Sequence, residues 1–236
     1  MEDIERSYLA DLLNQFEKVI KKDFTPLERT HLEAAAKPVE KVESVSLEDL
    51  EKTVKSCTGC KLCKTRKNVV FGEGCTVKPL VMVIGEGPGE NEDNTGRPFV
   101  GKAGEYLDQW LEAISLSRKT NTYITNIVKC RPPQNRDPEP DEKKACFDYL
   151  KTQIDMLSPK VILCLGRPAS TLMTGIEDAP MGSIRGRFYF YNKSIPMICT
   201  YHPAAVLRDL SLKRAVWEDL KKLAQFLNLE IGKKTK

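Results

Sequence analysis

Two short runs without polar alternation constrain this chain most: residues 79–84 (PLVMVI) and, after one leading lysine, residues 160–165 (KVILCL). A strand without polar alternation must be buried on both faces, which happens in parallel sheets covered by helices on either side. The segments around these runs agree. Residues 103–114 have helical spacing, with Leu107, Leu111 and Ile114 on one face. A strand at 121–128 is followed by a long helix at 141–157, and a helix at 167–173 follows the second apolar run. Segments 185–191 and 194–200 read as a hairpin turning at Asn192-Lys193, and 68–71 as a further short strand. An amphipathic helix at 212–227 closes the pattern. Strands alternating with helices predict an α/β protein, a three-layer α/β/α sandwich around a central, mostly parallel sheet.

The ends differ from this middle. Residues 1–45 read as an amphipathic helix, with Leu9, Leu12, Leu13, Phe16 and Ile20 on one side, plus a charged linker. Residues 46–228 form the main domain, opening with a Ser-capped helix at 46–55, and 229–236 form a flexible basic tail. No apolar run is long enough to span a bilayer, and the acidic start lacks a secretory pattern, so a cytoplasmic location and no membrane partner are expected. Disulfides are uncommon in that compartment, so the eight cysteines need another explanation. The net charge of +4 permits a polyanionic partner without demanding one.

Ligands of open parallel sheets sit beyond the carboxyl ends of the strands. After the first apolar run comes GEGPGENED, carrying Glu86, Gly87 and Glu92. Asn126 stands near the end of the 121–128 strand, and His202 follows the last strand in YHPAAVLR. If these strands lie in parallel, Glu86, Asn126 and His202 converge on one crevice. The Gly-rich loop is no phosphate cradle: its acids would repel a phosphate, and no Lys-Ser/Thr pair follows. Its glycines let the backbone press against a flat ligand. His31, the other histidine, belongs to the N-terminal appendage. Phe99, between Gly96 and Gly101, suggests a shaped loop presenting an exposed aromatic ring, either a core anchor or a stacking surface for a base.

Cys57 and Cys60 make a tight C-x2-C pair, and Cys130 and Cys146 are dispersed later. By spacing alone, an iron–sulfur cluster, zinc and no metal all stay open. Cys63 and Cys75 are nearby spares, while Cys164 and Cys199 fall within apolar strands as small core residues. Lys129, Arg131 and Arg136 surround Cys130 in a proline-held basic loop that could grip a DNA backbone.

From Cys57 to about Leu220 the sequence resembles the family 4 uracil-DNA glycosylases, through CTGCKLC, VVFGEG, GEGPGENEDNTGRPFVGKAG, YITNIVKCRPPQNRDPEPDE, PKVILCLG and HPAAVLR. The resemblance implies the uracil-DNA glycosylase-like fold and one 4Fe-4S cluster on Cys57, Cys60, Cys130 and Cys146. It implies a pocket in which Phe99 stacks on a flipped uracil and Asn126 pairs with its polar edge. Gly87 would offer a backbone contact and His202 would face O2. Glu86 and Glu92 would line the sugar and base sides, with Glu92 blocking the methyl group of thymine.

The implied reaction is hydrolysis of the uracil–deoxyribose bond in single- or double-stranded DNA, leaving an abasic site for base excision repair. No lysine in the motifs stands as a Schiff-base nucleophile. Where better-known relatives carry a water-positioning Asp, this loop has Gly87, which leaves Glu86, Glu92 or the binding energy of DNA without a dedicated base as the alternatives. The competing readings are a DNA-binding or polymerase-associated module without activity, a covalent DNA trap and a zinc-stabilised protein. The resemblance does not reach residues 1–45, which are read as an appended helix plus linker, with an element that binds a replication or repair partner as the alternative.

Overall fold

The burial expected of the two apolar runs sets the architecture. In the computed structural model, which describes residues 46–232, every residue of three of the four inner strands of the sheet is buried. The chain divides after Glu43. The helix expected within residues 1–45 and the last four residues of the basic tail lie outside the described residues.

In chain order the elements are α1 (Leu47–Lys55), β1 (Glu73–Gly74), β2 (Val81–Gly85), α2 (Glu90–Thr95), α3 (Lys102–Glu112), β3 (Thr122–Asn126) and α4 (Pro140–Leu157). There follow β4 (Val161–Leu165), α5 (Gly166–Thr174), α6 (Met181–Ile184), β5 (Phe188–Tyr191), β6 (Ile195–Thr200), α7 (Pro203–Arg208) and α8 (Lys213–Phe226). Ser46 caps α1 by accepting a hydrogen bond from Asp49 N at 3.1 Å.

The sheet order is β1-β3-β2-β4-β6-β5, with the four inner strands parallel and both edge strands antiparallel. Alternate residues of β2 feed opposite layers. Val81 and Val83 pack with Leu107 and Leu111 of α3 and Leu220 and Leu223 of α8. Met82 and Ile84 pack with Leu150 and Ile154 of α4 and Met173 of α5. The result is the anticipated three-layer sandwich. Gly85 lies opposite Asn126 in the β2–β3 register, so the loops leaving these strands begin side by side.

Three local differences have physical causes. Residues 68–71 do not form the expected strand, and the antiparallel edge is Glu73–Gly74 instead. Val69 and Phe71 turn into a third apolar cluster with Leu50, Leu62 and Cys130, which draws their backbone off the ladder. The acidic run after Gly89 was expected as loop and is helical in α2, with Glu92 Oε2 accepting from Gly89 N at 3.1 Å. The short helix α6 precedes the hairpin. The hairpin itself turns where predicted, on Asn192 and Lys193 with φ of 46° and 59°, and Ser194 N closes the turn on Tyr191 O at 3.0 Å; with Tyr191 opposite Ile195, three residues join the strands. Among the described residues, no helix is long and apolar enough to cross a membrane.

Candidate active site

The carboxyl ends of β2, β3 and β6 open into a cavity of about 560 Å³ whose lining includes Glu86, Gly87, Glu92, Phe99, Asn126 and His202. All six pocket residues anticipated from the sequence therefore meet. The volume lies within the range of small-molecule binding pockets.

Asn126 ends β3 and is 1% exposed, and its Oδ1 is buried with no hydrogen-bond partner. Buried polar atoms are almost always paired, so an orphan acceptor on a residue that lines a cavity points to a place where a ligand can donate. Phe99 is buried rather than exposed as expected, at 7%. Its ring is both core anchor and pocket wall, tilted 32° to the His202 ring at a centroid separation of 5.6 Å. Its backbone has φ of +53°, and clamps on both sides hold it there. Arg118 donates to the carbonyls of Pro98 and Phe99, each at 2.9 Å, and to Asp108. Glu92 Oε1 accepts from Val100 N at 2.9 Å and Gly101 N at 3.0 Å.

His202 caps α7, its Nδ1 accepting from Ala204 N at 3.2 Å. That bond places the ring proton on Nε2. Burial, with the Arg208 charge adding to it, pushes the imidazole down to about 4, so the ring is a neutral donor at physiological pH. Glu86 moves the opposite way. Burial and the hydrogen-bonded carboxyl group of Asp137 raise it to about 7, against a smaller pull from Lys143.

The two glutamates thus differ in kind. Glu92 lines the cavity, but its carboxylate is taken up by three backbone N–H groups that tie the Gly-rich loop to the Phe99 loop. Glu86 carries no such load. The basic loop also departs from expectation. Lys129 is 1% exposed and its ammonium points inward, to Thr125 and the carbonyl of Asn126. It cannot reach a DNA backbone from there. A charge sign in sequence gives no direction, and here the polar end of β3 supplies acceptors inside. Arg136 forms a bidentate pair with the buried Glu142, at 2.9 and 2.7 Å. Arg131 bonds Asn135 and faces Glu90 at 3.5 Å.

Sequence reasoning missed Asp137, Arg208 and Arg118. Asp137 and Arg208 line the cavity, and both stand inside motifs already singled out, RPPQNRDPEP and HPAAVLR. Arg118 carries no motif signal.

Cys57, Cys60, Cys130 and Cys146, with Cys63, line a second recess where α1, α4 and the loop after β3 meet. Donors surround the sulfurs: Gly59 N to Cys57 and Lys129 N to Cys146, both at 3.3 Å, and Arg66 Nη1 to Cys130 at 3.2 Å. Among the described residues no three His, Cys, Asp or Glu side chains close on a single-ion point; the thiols ring a recess instead. Cys164 and Cys199 are buried opposite one another on β4 and β6, as core residues.

Around a mostly parallel sheet whose strand ends present an aromatic wall, an amide and a neutral imidazole, residues 71–221 match the uracil DNA glycosylase superfamily. The type-4 uracil-DNA glycosylase of Sulfurisphaera tokodaii is 45% identical over 166 residues, 68% of this chain and 75% of that protein. Those of Saccharolobus solfataricus and Archaeoglobus fulgidus are 44% and 41% identical, over 70% and 69% of this chain and 79% and 83% of theirs. The chain belongs to the type-4 uracil-DNA glycosylases, hydrolases of N-glycosyl bonds.

Proposed function

We propose that this enzyme excises uracil from single- and double-stranded DNA by hydrolysis, leaving an abasic site for base excision repair. The observation that carries the reading is the partnerless, buried Oδ1 of Asn126 at the end of β3. Uracil N3 bears a proton and donates to such an acceptor. Cytosine N3 bears none, so cytosine would set acceptor against acceptor and leave both unpaired.

The remaining roles follow from what each group can do. Pulling the base out of the stack costs a few kcal/mol, offset by stacking on Phe99 and the edge contact to Asn126. As the glycosidic bond lengthens, negative charge moves onto uracil and positive charge onto the sugar. The Nε2–H of His202 meets the charge at O2, and a neutral donor keeps that bond without making the base harder to protonate later. Glu86, a pocket carboxylate not committed to backbone and hydrogen-bonded to Asp137, faces the sugar and accepts the proton of the attacking water. Water oxygen bonds to C1′ as the base departs with the bonding pair, and the uracil anion takes its proton from solvent. Glu92 acts as a loop clamp.

The four thiols Cys57, Cys60, Cys130 and Cys146 hold one 4Fe-4S cluster in this reading. An all-sulfur donor set ringed by N–H groups suits it. When bound, it supplies a rigid crosslink between the C-x2-C segment, the loop after β3 and α4. The test is incubation with oligonucleotides carrying one uracil, followed by hot alkali, with cytosine and thymine controls. Cleavage at uracil alone is expected, and intact uracil strands would refute the reading.

A further inference from the structure

Lys129 is a lysine shut away from water. Its Nζ donates to Thr125 Oγ1 at 2.6 Å and to the backbone carbonyl of Asn126 at 2.8 Å. Thr125 Oγ1 in turn donates to Phe71 O at 2.8 Å, where Gln153 Nε2 also donates at 3.0 Å. The main chain of Lys129 is fixed as well: its N–H donates to Cys146 Sγ at 3.3 Å, and its carbonyl accepts from Val70 N at 2.8 Å.

Burying an ammonium is costly, and an apolar chain of equal length would fill the space at less cost. The charge must therefore matter where it lands. Both acceptors belong to the last two residues of β3, and the second of these carries the orphan amide that faces the pocket. Immediately beyond it the chain stays paired with the β2 segment, with Ile127 N donating to Gly85 O at 2.9 Å. An ammonium on the Asn126 carbonyl adds a second hold on the peptide that follows Asn126, and with it on the direction of the Asn126 side chain.

We propose that Lys129 is a positioning residue for base recognition, bracing Asn126 from within and anchoring that brace to the cysteine site through its main chain. The inference rests on the uracil-excision reading. It makes the two recesses one mechanical unit: whatever holds Cys146 and Cys130 in place also aims the amide that reads the base.

The test is Lys129→Met, purified as holoenzyme, with iron per chain, affinity for uracil-free DNA and single-turnover excision all measured. Iron content and DNA affinity should equal wild type. Excision should fall about 10- to 100-fold, the effect of losing hydrogen bonds from a charged group. In an Asn126→Ala background the same substitution should cost nothing more, because the brace would have nothing left to aim. Unchanged excision, or losses that multiply with Asn126→Ala, would overturn the proposal. So would weaker DNA binding with a normal excision rate, which would return Lys129 to a backbone contact. If Lys129→Met does not accumulate as holoenzyme, Thr125→Val removes one of the two acceptors. It should slow excision about 3- to 10-fold, again without further loss beside Asn126→Ala, and a normal rate would overturn the proposal. A wild-type enzyme that leaves uracil in place would fail the reading of the site rather than this inference.

Discussion

The ring of Phe99 and the amide oxygen of Asn126 converge on one point, the place where residue 85 would carry a β-carbon. A Cβ built on Gly85 would stand 2.4 Å from Asn126 Oδ1 and 2.6 Å from Phe99 Cζ. Glycine at the end of β2 is thus what allows the stacking wall and the base-reading amide to share a corner. Three elements far apart in sequence, β2, the 98–101 loop and β3, meet there.

Gly85→Ala should therefore be damaging out of proportion to its size. One methyl group pushes on both recognition elements at once, and neither Phe99, held by Arg118 and Glu92, nor Asn126, held by its strand, can give way freely. Excision should fall more than about 100-fold, as for a reacting group displaced by an ångström, while uracil-free DNA binds normally. Single-turnover excision beside a gel-shift titration checks this, and near-normal excision would show that the corner is softer than drawn.

The pocket predicts the shape of the pH profile. Glu86 is raised to about 7 by burial and by Asp137, so its negative charge develops only as pH climbs through that value. If that charge supports the sugar cation, the single-turnover rate should rise through pH 7 and level off above it. Glu86→Gln should abolish the rising limb. Asp137→Asn removes the like charge and should move the limb toward acid. His202, pushed down to about 4, stays neutral across this window and should contribute no limb of its own.

Glu92 should behave differently although it is also a carboxylate in the same cavity. Its three backbone partners make it a structural tie. Glu92→Ala should cost stability, about 2 kcal/mol or more from losing hydrogen bonds to a charged acceptor, and should slow excision by loosening the Phe99 loop. The rising limb should stay where wild type has it. Chemical denaturation and the pH–rate profile measured together separate the two glutamates, and a flattened limb in Glu92→Ala would reverse their roles.

These distinctions mark where the sequence was legible. Continuous apolar runs specified a doubly covered sheet, and residues just past strand ends specified the pocket, because both follow from periodicity and from the rule that strand ends face ligands. What was hidden depended on side-chain direction. Lys129 and Arg131 look alike in KCR, yet one turns inward to the acceptors at the end of β3 and the other outward to Asn135. Glu86 and Glu92 share one acidic loop, but only the fold brings Val100 N and Gly101 N to the second. The 68–71 strand failed for a related reason: its apolar residues are buried against Leu50 and Leu62, not along the sheet.

The same directional information separates the cations of the basic loop from those on the cavity rim. Arg136 is committed to the buried Glu142, and Lys129 is internal. Arg208 ends α7 on the cavity rim and is exposed, next to Leu207 at 44% exposure. An exposed guanidinium at the mouth of a base pocket is placed to hold a phosphate of the strand that delivers the base. Arg208→Ala should weaken binding to uracil and thymine duplexes alike and lower the slope of log affinity against log salt by about 1. Arg136→Met should leave that slope unchanged and instead destabilise the fold, because it strands the Glu142 carboxylate. Salt titrations of the two variants make the comparison directly. A changed slope for Arg136→Met with none for Arg208→Ala would place the DNA on the proline-held loop, away from the α7 rim.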